Sequence, residues 1–450
     1  MSHHNPATPA AAYKMISIPE ALEITLSETT PLPPQTLPFQ AAFQHTLAAD
    51  VTSNEPVPGY RASIKDGYAV CASDGPGEYT VAFEAHAGTP PLPLWPGAIA
   101  YISTGGPVPI GADAVVQIED THIVSEEHKK VKILRQARPG EDIRDIGSDL
   151  PAGRVVLAAG QHIGAAEVGI LATVGATTVS VHRKPHVAVL STGDEVMDPG
   201  VGELSPGKIR DANRAMLLAA AAGAGCPPSQ VTDLGIAADS KEQVAEALDK
   251  AVAGGADVLL TTGGVSMGDK DYIKPLLAER GTIFFGKVRM KPGKPLTFAK
   301  IERGGGRPPL LVFGLPGNPA SSLVTFHLIV VPCLRKLEGW KDPYLRRIHV
   351  KTAFEIVMDP QRPEYHRAVV KWEKKDTDKD TQEGEFVAYS TGGQISSRIM
   401  SLKSANVLVE VPAVKGRLAA GTRMTALIVG DLGASMEWNP DIEELKIQAP

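Results

Sequence analysis

The feature of the sequence that most constrains the fold is a regular alternation of apolar strand patterns and amphipathic helix patterns over residues 185–338. Capping signals mark the helices: Asp211 precedes an alanine-rich run, and Ser240, with Gln243 three residues on, precedes the next helix. Alternation at this spacing is typical of right-handed βαβ units, in which helices cover a parallel sheet. The sequence therefore predicts a parallel α/β domain over residues 183–338.

Three turns in this domain carry glycine directly after an apolar strand, in the segments 187–195, 258–271 and 310–322. Because the carboxyl ends of parallel strands meet at one edge of a sheet, where ligands bind, we expect the three turns to lie together. Glycine is also needed in such turns for steric reasons alone, so each turn by itself is a weak signal. None matches the glycine motifs of P-loop nucleotidases or dinucleotide-binding dehydrogenases. Together the three turns favour a phosphate-bearing ligand.

Carboxylates accompany these turns. Glu195, Asp239 and Asp271 each follow a strand by a few residues, so the three could converge on one Mg²⁺. A helix N-cap is the alternative role for each acid, and for Asp239 it is at least as good an interpretation. Asp271 is the main candidate ligand, because Asp269 and several lysines are its close neighbours in the sequence.

A stiff basic loop, KPGKP at residues 291–295, follows the second turn. It places Lys291 and Lys294 beside prolines, which lower the entropy lost when an anion binds, and Lys287 lies just upstream. Exposed lysines are usually only solvated. The position of these lysines in the chain, close to the predicted anion site, favours a role in anion binding.

Length and composition bound the rest of the chain. At 450 residues, with 43% hydrophobic and 21% charged residues, several folded domains are expected. The formal net charge of −6 argues against general binding to nucleic acid or membrane surfaces. Cys71, Cys226 and Cys333 form no CxxC pair and indicate reduced thiols. The N-terminus lacks a signal sequence and the longest apolar run, 323–334, is too short to span a membrane, so a soluble, cytosolic protein is expected.

Short β-prone runs separated by proline and glycine turns dominate two other parts of the chain, and they predict a β module and a C-terminal β-barrel or sandwich. We expect the segments on either side of the β module to form one elongated, discontinuous subdomain that contains a short N-terminal helix. The expected bounds are tails at 1–14 and 436–450, the discontinuous subdomain at 15–50 and 148–182, the β module at 51–147, the α/β domain at 183–338 and the barrel at 339–435.

In combination, eight motifs resemble those of the molybdopterin molybdenumtransferases, the family of bacterial MoeA, the plant Cnx E domain and the gephyrin E domain. The resemblance extends from about residue 15 to 430, and the chain is most similar to the plant type. The motifs are SIKDGYAV (63–70), YISTGGPVPIGADAVV (101–116), LSTGDE (190–195), IRDANR (209–214), TTGGVSMGDKDY (261–272), MKPGKPLTF (290–298), FGLPGNPAS (313–321) and RPEYHRAVVKW (362–372).

The resemblance implies a homodimer with a MogA-like α/β domain that inserts molybdate into adenylylated molybdopterin, with Mg²⁺-dependent release of AMP. Its active site would combine the α/β domain of one subunit with the β module and the barrel of the other. Adenylylated molybdopterin and molybdate are the implied substrates, and a MogA-like G domain or molybdoenzyme acceptors are the implied partners.

The resemblance also implies roles for individual residues. Asp271, with Asp239 and Glu195, would hold Mg²⁺. Asp66 and Thr104 would reach the cleft from the β module, and Lys291 and Asp66 would join the acids as catalytic residues. The implied contacts to nucleotide, molybdate and pterin phosphate are Thr104, Gly263, Gly264, Ser266, Lys287, Lys291, Lys294, Pro295, Ser321, Arg367, Ser396 and Ser397.

Some of these roles have alternatives. Asp66 would fit an Asp-Gly hairpin turn, and Arg367 would fit the surface of a barrel strand. Gly393 stands where many relatives have histidine, which removes a side chain close to the proposed molybdate residues. Two other functions remain open: a molybdopterin adenylyltransferase, because the TTGG turn also resembles the G-domain nucleotide loop, and a gephyrin-like scaffold that binds partner peptides.

Overall fold

The computed structural model describes residues 13–264, 272–374 and 383–433. The chain divides into two compact units, each with its own buried apolar cores. The first unit comprises residues up to 35, residues 44–46 and residues from 181 onwards, and the second comprises residues 36–43 and 47–180.

A six-stranded sheet organises the α/β part of the first unit. In spatial order its strands are Val231–Ala237, Val187–Thr192, Val258–Thr262, Leu310–Leu315, Thr297–Ile301 and Thr282–Phe285. The first four are parallel, and the last two are antiparallel to their neighbours. The predicted parallel sheet is confirmed for the first four strands and is wrong for the edge formed by the last two. Only eight residues, 302–309, join the fifth strand to the fourth, and a crossover connection needs a dozen or more.

Helices cover both faces of this sheet, because alternate residues of its central strands enter two separate cores. One face is covered by Ile18–Ser27, Ala212–Gly223 and a long helix made of Pro319–Thr325, the π-helical turn Phe326–Val330 and Val331–Leu337. The other face is covered by Lys241–Ala253 and Ile273–Arg280.

The helix starts follow the capping signals in the sequence. The Asp211 side chain accepts a hydrogen bond from the Arg214 backbone N–H at 3.0 Å, and Ser240 accepts from the Gln243 N–H at 3.2 Å. Gln243 does not complete the predicted capping box, since its side chain accepts from the backbone N–H of Ala238 instead, at 2.8 Å. The first helix turns are therefore fixed by local bonds.

A closed five-stranded barrel follows in the first unit. Its strands are, in spatial order, Arg347–Thr352, Gly384–Ser390, Glu364–Lys374, Val407–Val411 and Arg423–Ile428. Because the sheet is closed, the C-terminal part is a barrel and not a sandwich, the other predicted form. Small and β-branched residues such as Val350, Ala368 and Val409 fill its interior. Two short ribbons complete the strands of this unit, Ile356–Met358 with Gly416–Leu418 and Val196–Met197 with Ile209–Arg210.

The second unit is built on another six-stranded sheet. In spatial order its strands are Ala114–Gln117, Gly67–Val70, Ala98–Ile102, Gly77–Ala85, Lys130–Ile133 and Thr121–Ser125. Gly67 is required by close strand packing, since a Cβ there would lie 2.0 Å from the Val116 carbonyl oxygen. Further elements are the strands Val51–Thr52, Ala62–Ser63, Ile143–Arg144 and Val155–Leu157 and the helix Ala165–Thr173, while the strands Pro34–Pro38 and Thr178–His182 lie at the bounds of the units.

Segments on either side of this second sheet lie side by side within the unit. Strand Val51–Thr52 pairs with Val155–Leu157, and the Leu47 N–H donates to the Gln161 carbonyl oxygen at 3.0 Å. The chain segments before and after the β module are therefore adjacent in space.

Within the described residues, the run Pro319–Leu337 is the one helix whose length and composition would allow it to cross a membrane. The structure places 78% of its apolar window inside the protein, where Phe326, Val330 and Leu334 pack into the core of the mixed sheet. Such burial is what a central core helix requires.

Candidate active site

A cavity of about 790 Å³ opens at the carboxyl edge of the mixed sheet. It brings together the glycine turn at 263–264, the basic loop 291–295 and the turn 316–318, as the positions of the strand ends predicted. Residues 394–396, which follow a barrel strand, form the facing wall. All of these residues belong to the first unit of a single chain.

Glycine is needed at the 263–264 turn for two reasons. Gly263 and Gly264 have φ angles of 82° and 60°, in the left-handed region. A Cβ on Gly263 would also lie 2.3 Å from the carbonyl oxygen of Thr192, at the end of the neighbouring strand. The backbone of the turn is thus held against the adjacent strand end, with no side chain between it and the cavity.

This double requirement predicts the effect of adding one methyl group. We expect Gly263→Ala to lower the free energy of unfolding by about 1–3 kcal/mol, because alanine is strained at positive φ and its Cβ meets the Thr192 oxygen. Gly255→Ala is the matched control, since Gly255 has φ 76° but open space around its Cβ position. Urea titration of both variants measures the difference, and equal losses would contradict the close contact.

A buried polar network fixes the strand ends behind the turn. The Ser191 hydroxyl donates to Asp211 at 2.9 Å and lies 3.2 Å from the Thr262 hydroxyl. Arg214 binds the same Asp211 carboxylate at 2.9 Å and also binds Asp233. Burial opposes the charge on Arg214, but the bonds to these carboxylates outweigh it and raise the pKa of the guanidinium. The network holds two neighbouring strand ends together behind the glycine turn.

The two described acids of the predicted metal site occupy different surroundings. Glu195 lines the cavity, and its carboxylate has no hydrogen-bond or ion-pair partner among the residues that the structure describes. Asp239 does not line the cavity; its carboxylate accepts from the Asp194 N–H at 3.4 Å, while Asp194 accepts from the Asp239 N–H at 3.0 Å. The helix N-cap is Ser240, so the N-cap interpretation of Asp239 is wrong.

Asp271, the main predicted metal ligand, lies outside the described residues, as do Asp269 and Ser266. In the part of the chain that the structure describes, no three His, Cys, Asp or Glu side chains come together to hold a metal ion. Glu195 is a hard oxygen donor open to the cavity, which suits Mg²⁺, an ion that binds through one or two carboxylates together with water and phosphate. The convergence of Glu195, Asp239 and Asp271 stays a prediction.

The basic loop is fastened to the barrel at Lys291. The Lys291 ammonium lies 2.7 Å from the Glu364 carboxylate, whose side chain is 4% exposed. On the main chain, the Lys291 N–H donates to Pro363 at 2.9 Å, and the Tyr365 N–H donates to Lys291 at 2.8 Å. Lys294 is exposed, lines the cavity and has no ion-pair partner among the described residues. The loop thus presents one anchored and one unanchored ammonium group.

Serine hydroxyls and a proline complete the predicted part of the wall. Ser321, in the first turn of the long core helix, and Pro295 line the cavity. Ser396 lines it from the barrel side, where its hydroxyl accepts from the Asn318 amide at 2.9 Å and its carbonyl accepts from the Ala320 N–H at 3.1 Å. These contacts join the barrel loop directly to the turn after the fourth strand.

Barrel residues reach the cavity within the chain itself. Lys291 contacts Glu364, Asn318 contacts Ser396, and the main chain of the loop 291–295 bonds to the barrel strand. The implied contribution of a second subunit to the active site stays a prediction.

Three predicted anion contacts, Lys287, Arg367 and Ser397, do not line the cavity. Arg367 is 0% exposed, so the alternative of a barrel-surface position is also wrong. Its guanidinium donates to the Ser401 hydroxyl at 2.9 Å and to the Ile395 carbonyl at 3.3 Å, behind the cavity wall. Burial lowers the pKa of Arg367 to about 10, and its Nη1 has no partner in the described structure.

Other residues of the cavity wall were not predicted from the sequence. Arg362, Asn318 and Gln394 supply polar side chains, and Ile209 and Ile395 supply apolar ones. Arg362 and Asn318 fall inside the motifs RPEYHR and LPGNP, and this position is the feature of the sequence that could have indicated them as site residues.

The glycine at position 393 leaves room for a neighbouring cation. A Cβ on Gly393 would lie 3.1 Å from Nη1 of Arg398, so a side chain there would meet the arginine. A side chain at position 393 would therefore disturb the loop that carries Ser396.

In the second unit, the structure pairs the two predicted residues of the β module. The Thr104 N–H donates to the Asp66 carboxylate at 2.7 Å, and both residues are exposed. Asp66 lies in a bend between the strands Ala62–Ser63 and Gly67–Val70, so it is a turn residue, but the two strands pair with different partners and form no hairpin. Asp66 instead fixes the loop that begins at Thr104.

An α/β sheet with lysines, hydroxyls and a glycine turn around a cavity at its strand ends, beside a small β-barrel, is an arrangement suited to a protein that binds oxyanions or phosphates. Three family models match the chain in succession: the MoeA N-terminal region (domain I and II) over residues 16–175, a probable molybdopterin binding domain over 188–336, and the MoeA C-terminal region (domain IV) over 349–429. The chain belongs to the MoeA family of molybdopterin molybdenumtransferases, enzymes of molybdenum cofactor biosynthesis.

Individual relatives support the membership. The chain is 33% identical to a molybdopterin molybdenumtransferase of Haemophilus influenzae, over 88% of this chain and 95% of that protein. It is 37% identical to gephyrin of Dictyostelium discoideum over 94% of this chain but only 63% of that protein, so it spans less than two thirds of the gephyrin length. The crystal structure of a molybdopterin biosynthesis MoeA protein from Pyrococcus horikoshii superposes with a TM-score of 0.75 at 30% identity, covering 92% of this chain and 99% of that one. The predicted fold is confirmed.

Proposed function

We propose that this protein inserts molybdate into adenylylated molybdopterin, in a Mg²⁺-dependent reaction that releases AMP and forms molybdenum cofactor. The observation that carries the proposal is that Lys291, Lys294 and the glycine turn meet the barrel loop at Ser396 in one cavity. Ammonium groups, hydroxyls and backbone N–H groups are the donors that tetrahedral oxyanions and phosphates require.

The cavity divides its proposed tasks between two walls. Lys294 and Ser396 are suited to molybdate, because both face the cavity between the basic loop and the barrel. Gly263, Gly264 and Ser321 lie at the strand ends, where backbone and hydroxyl donors suit the phosphates of the adenylylated pterin. Arg367, buried behind the loop 394–396, would act on the anions through its charge rather than by contact.

Glu195 is the described residue best placed to hold Mg²⁺, with Asp271 and Asp239 as the further predicted ligands. A bound Mg²⁺ would neutralise the phosphate charge of the adenylate while the P–O bond breaks. The fixed strand ends and the glycine turn would orient that phosphate, and Lys291 and Lys294 would hold the molybdate beside it.

The Glu195→Gln variant tests the metal role. We expect it to raise the Mg²⁺ concentration needed for half-maximal AMP release by about tenfold or more, because an amide replaces a charged oxygen ligand. Glu203→Gln is the control, since Glu203 is exposed and does not line the cavity. A Mg²⁺ titration unchanged by Glu195→Gln would remove Glu195 from the metal site.

Paired substrate assays separate the proposed reaction from its alternatives. Purified protein should release AMP from adenylylated molybdopterin only when molybdate and Mg²⁺ are both supplied. Synthesis of the adenylate from ATP and molybdopterin would show an adenylyltransferase instead. Turnover of neither pair, together with capture of partner peptides by the barrel, would show a gephyrin-like scaffold.

The family membership also supports proposals about assembly and location. We propose a homodimer that works in the cytosol beside a MogA-like adenylylating domain and hands its product to molybdoenzyme acceptors. Three unpaired thiols, two of them buried, suit a reducing compartment. Light scattering of the purified protein measures the dimer, and cell fractionation measures the location.

A further inference from the structure

A continuous chain of polar contacts connects the two walls of the cavity through the barrel. It begins at the Lys291 ammonium, 2.7 Å from one oxygen of Glu364. The other Glu364 oxygen lies 2.9 Å from Nδ1 of His366, and Nε2 of that ring lies 2.8 Å from the Ser390 hydroxyl. Ser390 in turn accepts from the Gly392 N–H at 3.1 Å, two residues before the facing wall begins.

The interior of this chain is buried, and only its first member reaches the cavity. Glu364 and His366 are 3% and 7% exposed, while the Lys291 side chain is 33% exposed and lines the cavity. The His366 ring is stacked on Phe354, with ring centroids 4.7 Å apart, so its orientation is fixed by packing as well as by bonds. The carboxylate is therefore held in one place before any ligand arrives.

The protonation states along the chain agree with this arrangement. Burial lowers the pKa of His366, which keeps the ring neutral near pH 7. A neutral ring that donates from Nδ1 to Glu364 accepts at Nε2 from the Ser390 hydroxyl. Burial would raise the pKa of Glu364, but the bonds from His366 and Lys291 outweigh it. The pKa of Glu364 is therefore lowered, which keeps the carboxylate charged.

We propose that Glu364, oriented by His366 and Ser390, is a positioning residue that holds the Lys291 ammonium at the cavity wall for the incoming oxyanion. A lysine ammonium has three donor hydrogens, and a single bond to Glu364 leaves two for an anion in the cavity. Because a free lysine side chain loses rotamer entropy on being fixed, anchoring it in advance favours anion binding.

A double-mutant cycle tests whether Glu364 acts through Lys291. The kinetic part rests on the proposed function, and it measures KM for molybdate and kcat for AMP release. We expect Glu364→Gln to raise the KM for molybdate about tenfold with a smaller change in kcat, and not to raise it further in a Lys291→Ala background. If Glu364 had a purely structural role, Glu364→Gln would lower kcat and stability alike in the wild-type and the Lys291→Ala backgrounds. An equal rise in KM for molybdate in both backgrounds would overturn the proposal.

Glu410→Gln is the matched control for removing a paired carboxylate from the barrel. Glu410 binds Arg347 at 3.0 Å across the strand Arg423–Ile428, which lies between their two strands, and it does not line the cavity. We expect this variant to keep the wild-type KM for molybdate. A tenfold rise in KM for Glu410→Gln as well would show that any loss of barrel charge is sufficient, and would overturn the specific role of Glu364.

A crystal structure of Glu364→Gln without substrate separates this inference from the proposed function. We expect the Lys291 ammonium to leave its place beside residue 364 while the loop backbone keeps its bonds to Pro363 and Tyr365. An ammonium that stays in place would overturn the positioning role even if the protein turns over molybdate. A displaced ammonium in a protein with no molybdate-dependent AMP release would instead overturn the proposed reaction and leave the positioning intact.

Discussion

The Lys291→Ala variant is expected to lose about 100- to 1,000-fold in kcat/KM for molybdate-dependent AMP release, the loss typical of removing one charged or hydrogen-bonding group from a reaction centre. Two effects combine. The variant removes an ammonium from the cavity wall, and it leaves the buried Glu364 carboxylate behind that wall without its cation. The uncompensated carboxylate repels an incoming anion, so anion binding weakens further.

Lys287→Ala is the control for this prediction. It removes the same charge only four residues away, but Lys287 does not line the cavity, and its backbone instead accepts from the Ile16 N–H at 3.2 Å. We expect at most about a twofold change for it, as for other solvated lysines. Circular dichroism shows whether both variants are folded. Equal losses in the two variants, or a Lys291→Ala variant with wild-type turnover, would contradict the site.

The Asp257→Ala variant is expected to lose about 3–5 kcal/mol in the free energy of unfolding, the cost of breaking a buried ion pair from one side. Asp257 is 1% exposed and precedes the central strand Val258–Thr262. Its carboxylate binds the Arg183 guanidinium at 2.6 and 2.8 Å and accepts from the His186 N–H at 2.8 Å. Removing it leaves a partly buried cation and a backbone donor without their partner.

A second arginine adds to this cost. Arg303 lies 3.7 Å from Asp257, and its side chain is 5% exposed. Glu246→Ala is the control, because Glu246 forms an exposed pair with Lys250 one helical turn away at 2.9 Å, worth about 0.5 kcal/mol or less. Urea unfolding followed by circular dichroism measures both variants. A loss below about 1 kcal/mol for Asp257→Ala would show that the buried pair is not needed for the sheet.

The elements of the fold were predictable because their signals are local. Strands appear as short apolar runs, helices begin at Asp211 and Ser240, and glycine marks the strand ends, so the cavity edge follows from the sequence. The antiparallel edge of the sheet was missed, since it depends on how a short loop pairs in space rather than on any residue pattern.

The contacts between distant segments could not be predicted. Lys291 and Glu364 are far apart in the chain, and no periodicity in the sequence indicates that a basic loop pairs with a barrel strand. The placement of Arg367 was missed for a similar reason. Residues Glu364 to Val370 are all buried, so this strand lacks the alternation of buried and exposed residues that a strand with one solvent face shows. The Arg367 side chain is covered by the segment that follows the next strand, because its guanidinium donates hydrogen bonds to residues 395 and 401.

The measurement that tests the central claim most directly is the position of molybdate in a crystal of the wild-type protein, located by the anomalous scattering of molybdenum. The cavity of one chain predicts a peak bounded by Lys291, Lys294 and Ser396, all from the same subunit. A peak outside this cavity, or one in which Lys291 and Ser396 belong to different chains, would contradict the site derived from the structure.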